Sequence, residues 1–300
     1  MGRSVSHTDL LSEYETPHIL GGSFRRKVVG YIERCHLEDG GYCFFRMPPS
    51  SGMDTYFAVK SLATLGAKPK HPEAVVNFFL NMMKENSLGD LIGIFLTVEV
   101  MNELGQITDV LKNYVQRVTA FQNKAGGFGA LENIYIEVPS ELEATYRAAR
   151  SLRIIGIDFD EQRVADFVLS LVNPDGGYGK EGRSTLASTY YATEINRLLG
   201  FEIDKFKSTK DYLRNKETDW RENFDRGMVD YIENLFSLIK GLANLDEKSN
   251  FPDRVARFVM ACQRVNGGFA RATIMGIPNL EYTSYALSIL REVGALKRFS

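Results

Sequence analysis

The chain is poor in the residues that most often announce chemistry. Its 300 residues include three cysteines, four histidines and one tryptophan. Cys35, Cys43 and Cys262 form no Cys-x-x-Cys pair and no disulfide framework, which excludes a small cross-linked secreted scaffold and fits a reduced compartment. Buried, such cysteines act as small hydrophobes. His7, His18, His36 and His71 all fall in the first quarter of the chain. A net charge of −2 provides no basic footprint for nucleic acid. The longest apolar run, Leu91 to Met101, contains Glu99 and is too short to span a bilayer. The first residues lack an apolar secretory core, so the expected location is cytoplasmic. No stretch alternates at period two for long enough to argue a sheet.

What the chain does have is repetition. The segments Cys35–Tyr42, Phe121–Phe128, Leu171–Tyr178 and Cys262–Phe269 each end in Gly-Gly-aromatic. A helix-like stretch follows each and closes on Gly66, Gly156, Gly200 or Gly294. Gly40 to Gly126 is 86 residues, Gly126 to Gly176 is 50, and Gly176 to Gly267 is 91. The two long gaps are each about two periods, so two copies have lost the glycine pair and kept the length. Their closing positions fall on Gly105 and Asp246. Eleven residues before the four closing glycines stand Thr55, Thr145, Thr189 and Thr283. The result is six units of roughly 45 residues.

Each unit reads as two helices. Segments such as Thr55–Leu65 are apolar on nearly every side and belong inside. Segments such as Pro72–Leu80 and Arg254–Met260 carry an apolar stripe and a charged face and belong outside. The closing glycine suits a left-handed helix end. Six such pairs close into an all-α (α/α)6 toroid over residues 25–300, with residues 1–24 as a tail or arm. The last unit is a full copy and not a polar cap, which favours a closed ring over an open solenoid. Asp158–Glu161 reads as a loop and helix cap.

The turn ending in Gly-Gly-aromatic, followed by a Thr-Tyr-bearing helix ending in Leu-Gly, resembles the prenyltransferase and squalene-cyclase repeat superfamily from about residue 25 to 297. The resemblance implies a central apolar funnel that holds an isoprenoid chain, and counting along the inner helices of this chain gathers its acids and phenols at one opening. In prenyltransferase β subunits an Asp, a Cys and a His bind zinc; those places fall here on Tyr231, Glu233 and Tyr282, and no zinc is expected. The places that grip a diphosphate fall on Leu186, Glu143, Asp225 and Met228, with Arg221 and Arg226 nearby. Mg2+ enters only if a diphosphate is bound. The Asp-x-Asp-Asp-Thr signature of the cyclases aligns through Thr145 with Glu141-Leu142-Glu143-Ala144-Thr145. Glu143 then takes the proton-donor place with Glu141 beside it, and a buried carboxylic acid can serve as general acid.

Other candidates are Glu233 and Glu281, which share the first turn of inner helices with Glu143 and equally suit helix capping. Tyr56, Tyr146 and Tyr190, which follow phased threonines, and Tyr191, Tyr231, Tyr282 and Tyr285 near that level are candidates for the cavity wall or for core filling. The leading reading is a toroid that binds a hydrophobic, isoprenoid-like small molecule or lipid. A catalytically silent scaffold with a helical protein partner, or a conventional prenyltransferase β-type subunit, stay open beside it. So does the question of turnover.

Overall fold

A computed structural model of the protein describes residues 20–85, 90–129, 141–200 and 206–296. Twelve α-helices are described: α1 Gly22–Glu33, α2 Gly52–Thr64, α3 Pro72–Lys84, α4 Leu91–Glu103, α5 Asp109–Val115, α6 Glu141–Ile155, α7 Glu161–Ser170, α8 Leu186–Leu199, α9 Lys207–Asp225, α10 Ile232–Asn244, α11 Pro252–Ala261 and α12 Leu280–Glu292. A 3-10 turn, Gln116–Phe121, extends α5. Extended backbone among the described residues is limited to isolated bridges. No described helix is long and apolar enough to cross a membrane.

The even-numbered helices form an inner ring. Helix α2 packs on α4, α4 on α6, α6 on α8, α8 on α10, α10 on α12, and α12 back on α2, so the ring is closed. The odd-numbered helices form the outer layer. Helix α1 begins at Gly22, three residues before the boundary read from the repeats. A bridge between Leu20 and Leu296 ties the described start of the chain to its last unit.

The repeat motif works as a joint between neighbouring units. The first glycine of each pair has positive φ, and its backbone lies on the N-terminal part of the next unit's outer helix. A Cβ on Gly40 would stand 2.3 Å from the Ala74 carbonyl oxygen of α3. On Gly267 it would stand 2.4 Å from the Lys27 carbonyl oxygen of α1, so the sixth unit grips the first in the same way. The second glycine admits an aromatic ring of the same outer helix, with Tyr31 of α1 under Gly268. The aromatics that follow, Tyr42, Phe128, Tyr178 and Phe269, are fully buried. Three of them reach the next unit: Phe128 meets Phe159, Tyr178 stacks on Phe206 and Phe269 meets Phe24 edge-on.

The phased threonines hold the turn to the inner helix. Oγ1 of Thr55, Thr145, Thr189 and Thr283 accepts the backbone N–H of Tyr42, Phe128, Tyr178 and Phe269 at 2.9, 3.0, 3.0 and 3.1 Å. All four side chains are buried, so each bond satisfies a donor that water cannot reach. Helix ends follow the same phase. Gly66, Gly105, Gly156, Gly200 and Gly294 are left-handed, and Asp246 takes the same conformation at φ 57°. Asp160 caps α7 by accepting the Arg163 N–H. Cys35 and Cys262 are buried beneath the turns.

Substitution separates the two kinds of glycine. Gly267→Ala meets the Lys27 carbonyl and is expected to cost about 3 kcal/mol or more, whereas Gly105→Ala, with open space around it, is expected to cost about 1 kcal/mol. Urea midpoints of the two variants check the difference.

Candidate functional site

Inside the inner ring lies a cavity of about 480 Å3. All six inner helices line it. Its residues fall into three levels, because inner helices share one register counted from the phased threonine.

The middle level is aromatic. Tyr56, Phe95, Tyr146, Tyr191, Tyr190, Phe236, Tyr285 and Phe57 touch ring to ring in that order, and Phe57 returns to Tyr56. Centroid separations run from 4.3 Å for Phe236–Tyr285 to 6.0 Å for Phe95–Tyr146. The eight rings make an unbroken waist. Edge-to-face and offset pairs of this kind contribute about 0.5–1.5 kcal/mol each beyond the area they bury.

Towards the N-termini of the inner helices stand Met53, Glu143 and Glu281. Glu143 pairs with Arg147 at 2.6 Å and accepts the Tyr191 hydroxyl at 2.8 Å. Glu281 accepts the Tyr285 hydroxyl at 3.0 Å. Burial raises the Glu281 pKa; the Tyr285 bond lowers it, and the nearby charges of Glu233, Asp54 and Glu143 raise it further.

One helical turn below the waist the wall is charged. Five residues after the phased position stand Lys60, Glu99, Arg150, Glu194, Lys240 and Ser288, one from each inner helix in ring order. The signs alternate until the serine. Glu99 is almost fully buried and accepts Lys60 Nζ at 3.2 Å and Arg150 Nε at 2.8 Å. Burial pushes the Glu99 pKa up, but those two cations outweigh it and hold the carboxyl below its usual range. Glu194 accepts the Asn244 amide at 3.0 Å, and Lys240 pairs with Glu292 at 2.7 Å. The expected grouping of acids and phenols at one opening is therefore corrected: phenols form the waist and acids lie on both sides of it. A helix presents residues one turn apart on the same face, so a cavity this deep draws from several turns.

Of the residues picked out from sequence, Tyr56, Glu143, Tyr146, Tyr190 and Glu281 line the cavity. Tyr231, Glu233 and Tyr282 do not. Arg271 lies over the Tyr231 ring at 4.1 Å and pairs with Glu233 at 2.5 Å, on the rim outside the cavity wall. Glu141 is the first residue of α6, and its side chain lies outside the described residues. Arg221 is held by Glu222 and Asp225, and Arg226 by Glu222. Tyr191 and Tyr285, read from sequence as lying near the level of the phased threonines, belong to the waist. The waist members Phe57, Phe95 and Phe236 and the charged floor were missed. The register that located the threonines would have found them, at one, two and five residues further on. Among the described residues, no group of three or more His, Cys, Asp or Glu is placed to hold a metal ion.

Burial pushes the phenols of Tyr56, Tyr146 and Tyr190 upward, and the charge of Glu194 adds to the effect on each. Their hydroxyls have no hydrogen-bond partner among the described residues. They are neutral donors and acceptors that face the cavity.

Glu99→Gln leaves Lys60 and Arg150 without their shared partner. Both cations are about a third exposed, so the expected cost is about 2 kcal/mol, less than for a fully buried pair. Because Glu99 has a lowered folded pKa, its stabilisation is complete above the unfolded glutamate value of roughly 4.3 and is lost as pH falls through the folded value. Denaturation of wild type and variant at pH 7 and pH 3 checks both: the gap between them narrows as pH falls.

The chain matches the prenyltransferase alpha-alpha toroid domain over residues 4–100, 90–244 and 231–300. Among solved structures it is similar to Candida albicans protein geranylgeranyltransferase-I complexed with GGPP, at 18% identity and TM-score 0.69, covering 92% of this chain and 94% of that one. It is also similar to a type II terpene cyclase from Scytonema in complex with merosterolic acid A, its product, at 12% identity and TM-score 0.63, covering 96% and 98%. The same cyclase in complex with its substrate, geranylgeranyl dihydroxybenzoate, gives 11% identity and TM-score 0.58, covering 96% and 97%. No curated protein sequence matches the chain. At these identities the structures establish the fold, and the domain match across nearly the whole length establishes kinship: the chain belongs to the prenyltransferase alpha-alpha toroid family.

Proposed function

We propose that this toroid binds a hydrophobic, isoprenoid-like molecule in its central cavity and does so without zinc-dependent cysteine prenylation. The aromatic waist carries the reading. Eight rings in continuous contact surround a space of about 480 Å3, within the usual range for small-molecule sites. Ring faces hold polyprenyl chains by contact area without demanding hydrogen bonds. Structural neighbours in complex with GGPP and with geranylgeranyl dihydroxybenzoate support the ligand class.

The donor set at the family's zinc place does not fit that metal. Tyr231, Glu233 and Tyr282 offer neither imidazole nor thiolate, and Glu233 is committed to Arg271. Mg2+ belongs to the reading only where a ligand brings a diphosphate. A proton-transfer step in the cavity would fall to Glu143, with Glu141 beside it in the sequence; Arg147 and Tyr191 fix where the Glu143 carboxyl points.

A second reading, a binding module for a helical protein partner, is favoured by one observation. Seven of the ten exposed large hydrophobics of the described chain lie on three loops that enter inner helices of adjacent units: Phe45 and Met47, Met228 and Val229, and Ile274, Met275 and Ile277. Such an arc at one rim of the ring is larger than scattered surface apolars explain.

Ser284 lines the cavity without belonging to the waist, which makes it the position to fill. Ser284→Trp is expected to weaken binding of farnesol by about tenfold or more while leaving the thermal midpoint within a few degrees, since it occupies open space. Calorimetric titration with a parallel melting curve checks this. Undiminished binding by a folded variant would place the ligand outside the ring.

A further inference from the structure

The cavity wall is unevenly charged. Four of its cations have carboxylate partners: Lys60 with Glu99 and Glu103, Arg147 with Glu143, Arg150 with Glu99, and Lys240 with Glu292. The fifth, Arg291, donates to the Thr64 carbonyl at the lower rim. Two of the cavity carboxylates have no ion pair among the described residues. Glu281 meets the Tyr285 hydroxyl, and Glu194 meets the Asn244 amide.

Glu194 also has a built environment. Tyr56, Tyr146 and Tyr190, partly buried phenols whose hydroxyls have no hydrogen-bond partner among the described residues, line the same cavity as Glu194, and its charge acts on all three. Asn244, which holds the carboxylate, is itself fixed by Thr193 and Arg197. Arg150 and Lys240 flank Glu194 in the floor but are committed to Glu99 and Glu292. A carboxylate within an aromatic lining is the chemistry that recognises an ammonium group: the charge pairs with the acid, the ring faces attract the cation, and phenol oxygens accept its N–H bonds.

An anionic head fits poorly. The N-termini of inner helices would draw a phosphate. Here the first turns of α2, α6, α10 and α12 already carry Asp54, Glu143, Glu233 and Glu281.

We propose that Glu194, with Tyr56, Tyr146 and Tyr190, is the seat of an ammonium group on an otherwise apolar ligand whose body runs through the waist towards the Glu281 end. This rests on the reading of the cavity as a hydrophobic ligand site and names the head group that site selects.

The test is a calorimetric titration of the full chain with three chain-matched probes: farnesylamine, farnesol and farnesyl diphosphate. The amine is expected to bind about tenfold or more tighter than the alcohol, and the diphosphate weakest of the three. Glu194→Gln removes the advantage of the amine and leaves the alcohol within about twofold. Tyr146→Phe, which keeps the ring and loses the hydroxyl, lowers amine affinity about threefold. Glu281→Gln leaves the amine's advantage over the alcohol in place. A diphosphate that binds as tightly as the amine overturns the inference, as does loss of the amine's advantage in Glu281→Gln but not in Glu194→Gln. If the alcohol binds as well as the amine, the head-group assignment falls and the hydrophobic site stands. If none of the three binds, the cavity reading itself falls.

Discussion

The first glycine of each turn lies with its backbone against a carbonyl of the neighbouring outer helix, and a Cβ at that place would overlap it. That contact sets the spacing between units. The second glycine lets a ring of the same neighbour slide beneath the turn, and a buried threonine binds the backbone N–H of the aromatic that follows. The joint recurs between the last unit and the first, through Gly267 and Lys27, so the ring closes by the rule that builds it. A closed ring encloses space at its centre, and the residues that face that space are chosen by helical phase alone.

This dependence explains what could be read from the chain. Gly105 and Asp246 were identifiable as helix ends by counting, although neither of their units keeps the glycine pair, and both are left-handed. Thr55, Thr145, Thr189 and Thr283 stood out because they repeat, and their role as acceptors for the turn follows from their burial. The charged floor did not stand out, because its residue type changes from unit to unit. Lys60, Glu99, Arg150, Glu194, Lys240 and Ser288 share a register and no identity. A search for a repeated residue passes over them, whereas a search for one face of each inner helix finds them.

Two kinds of candidate were hard to separate in sequence. Glu143, Glu233 and Glu281 all sit on a first helical turn, yet Glu143 and Glu281 line the cavity and Glu233 is held at the rim by Arg271. Tyr282 precedes a phased threonine by one residue and turns away from the centre, whereas Tyr56, Tyr146 and Tyr190 follow theirs by one and face it. A shift of two positions along a helix is a rotation of about 200°, enough to exchange inside for outside. The repeat count supplied the toroid; the difference between wall and rim required the register.

The central claim is that the ring holds an apolar ligand threaded through the aromatic waist with its polar end near Glu194. A crystal structure of the protein with farnesylamine tests it most directly. The account predicts continuous ligand density inside the ring, bounded by Tyr56, Tyr146, Tyr190 and Phe236, with the nitrogen within hydrogen-bond distance of the Glu194 carboxylate. Density confined to the apolar outer rim around Phe45 and Ile277, or a ring centre filled by the protein's own side chains, would contradict it.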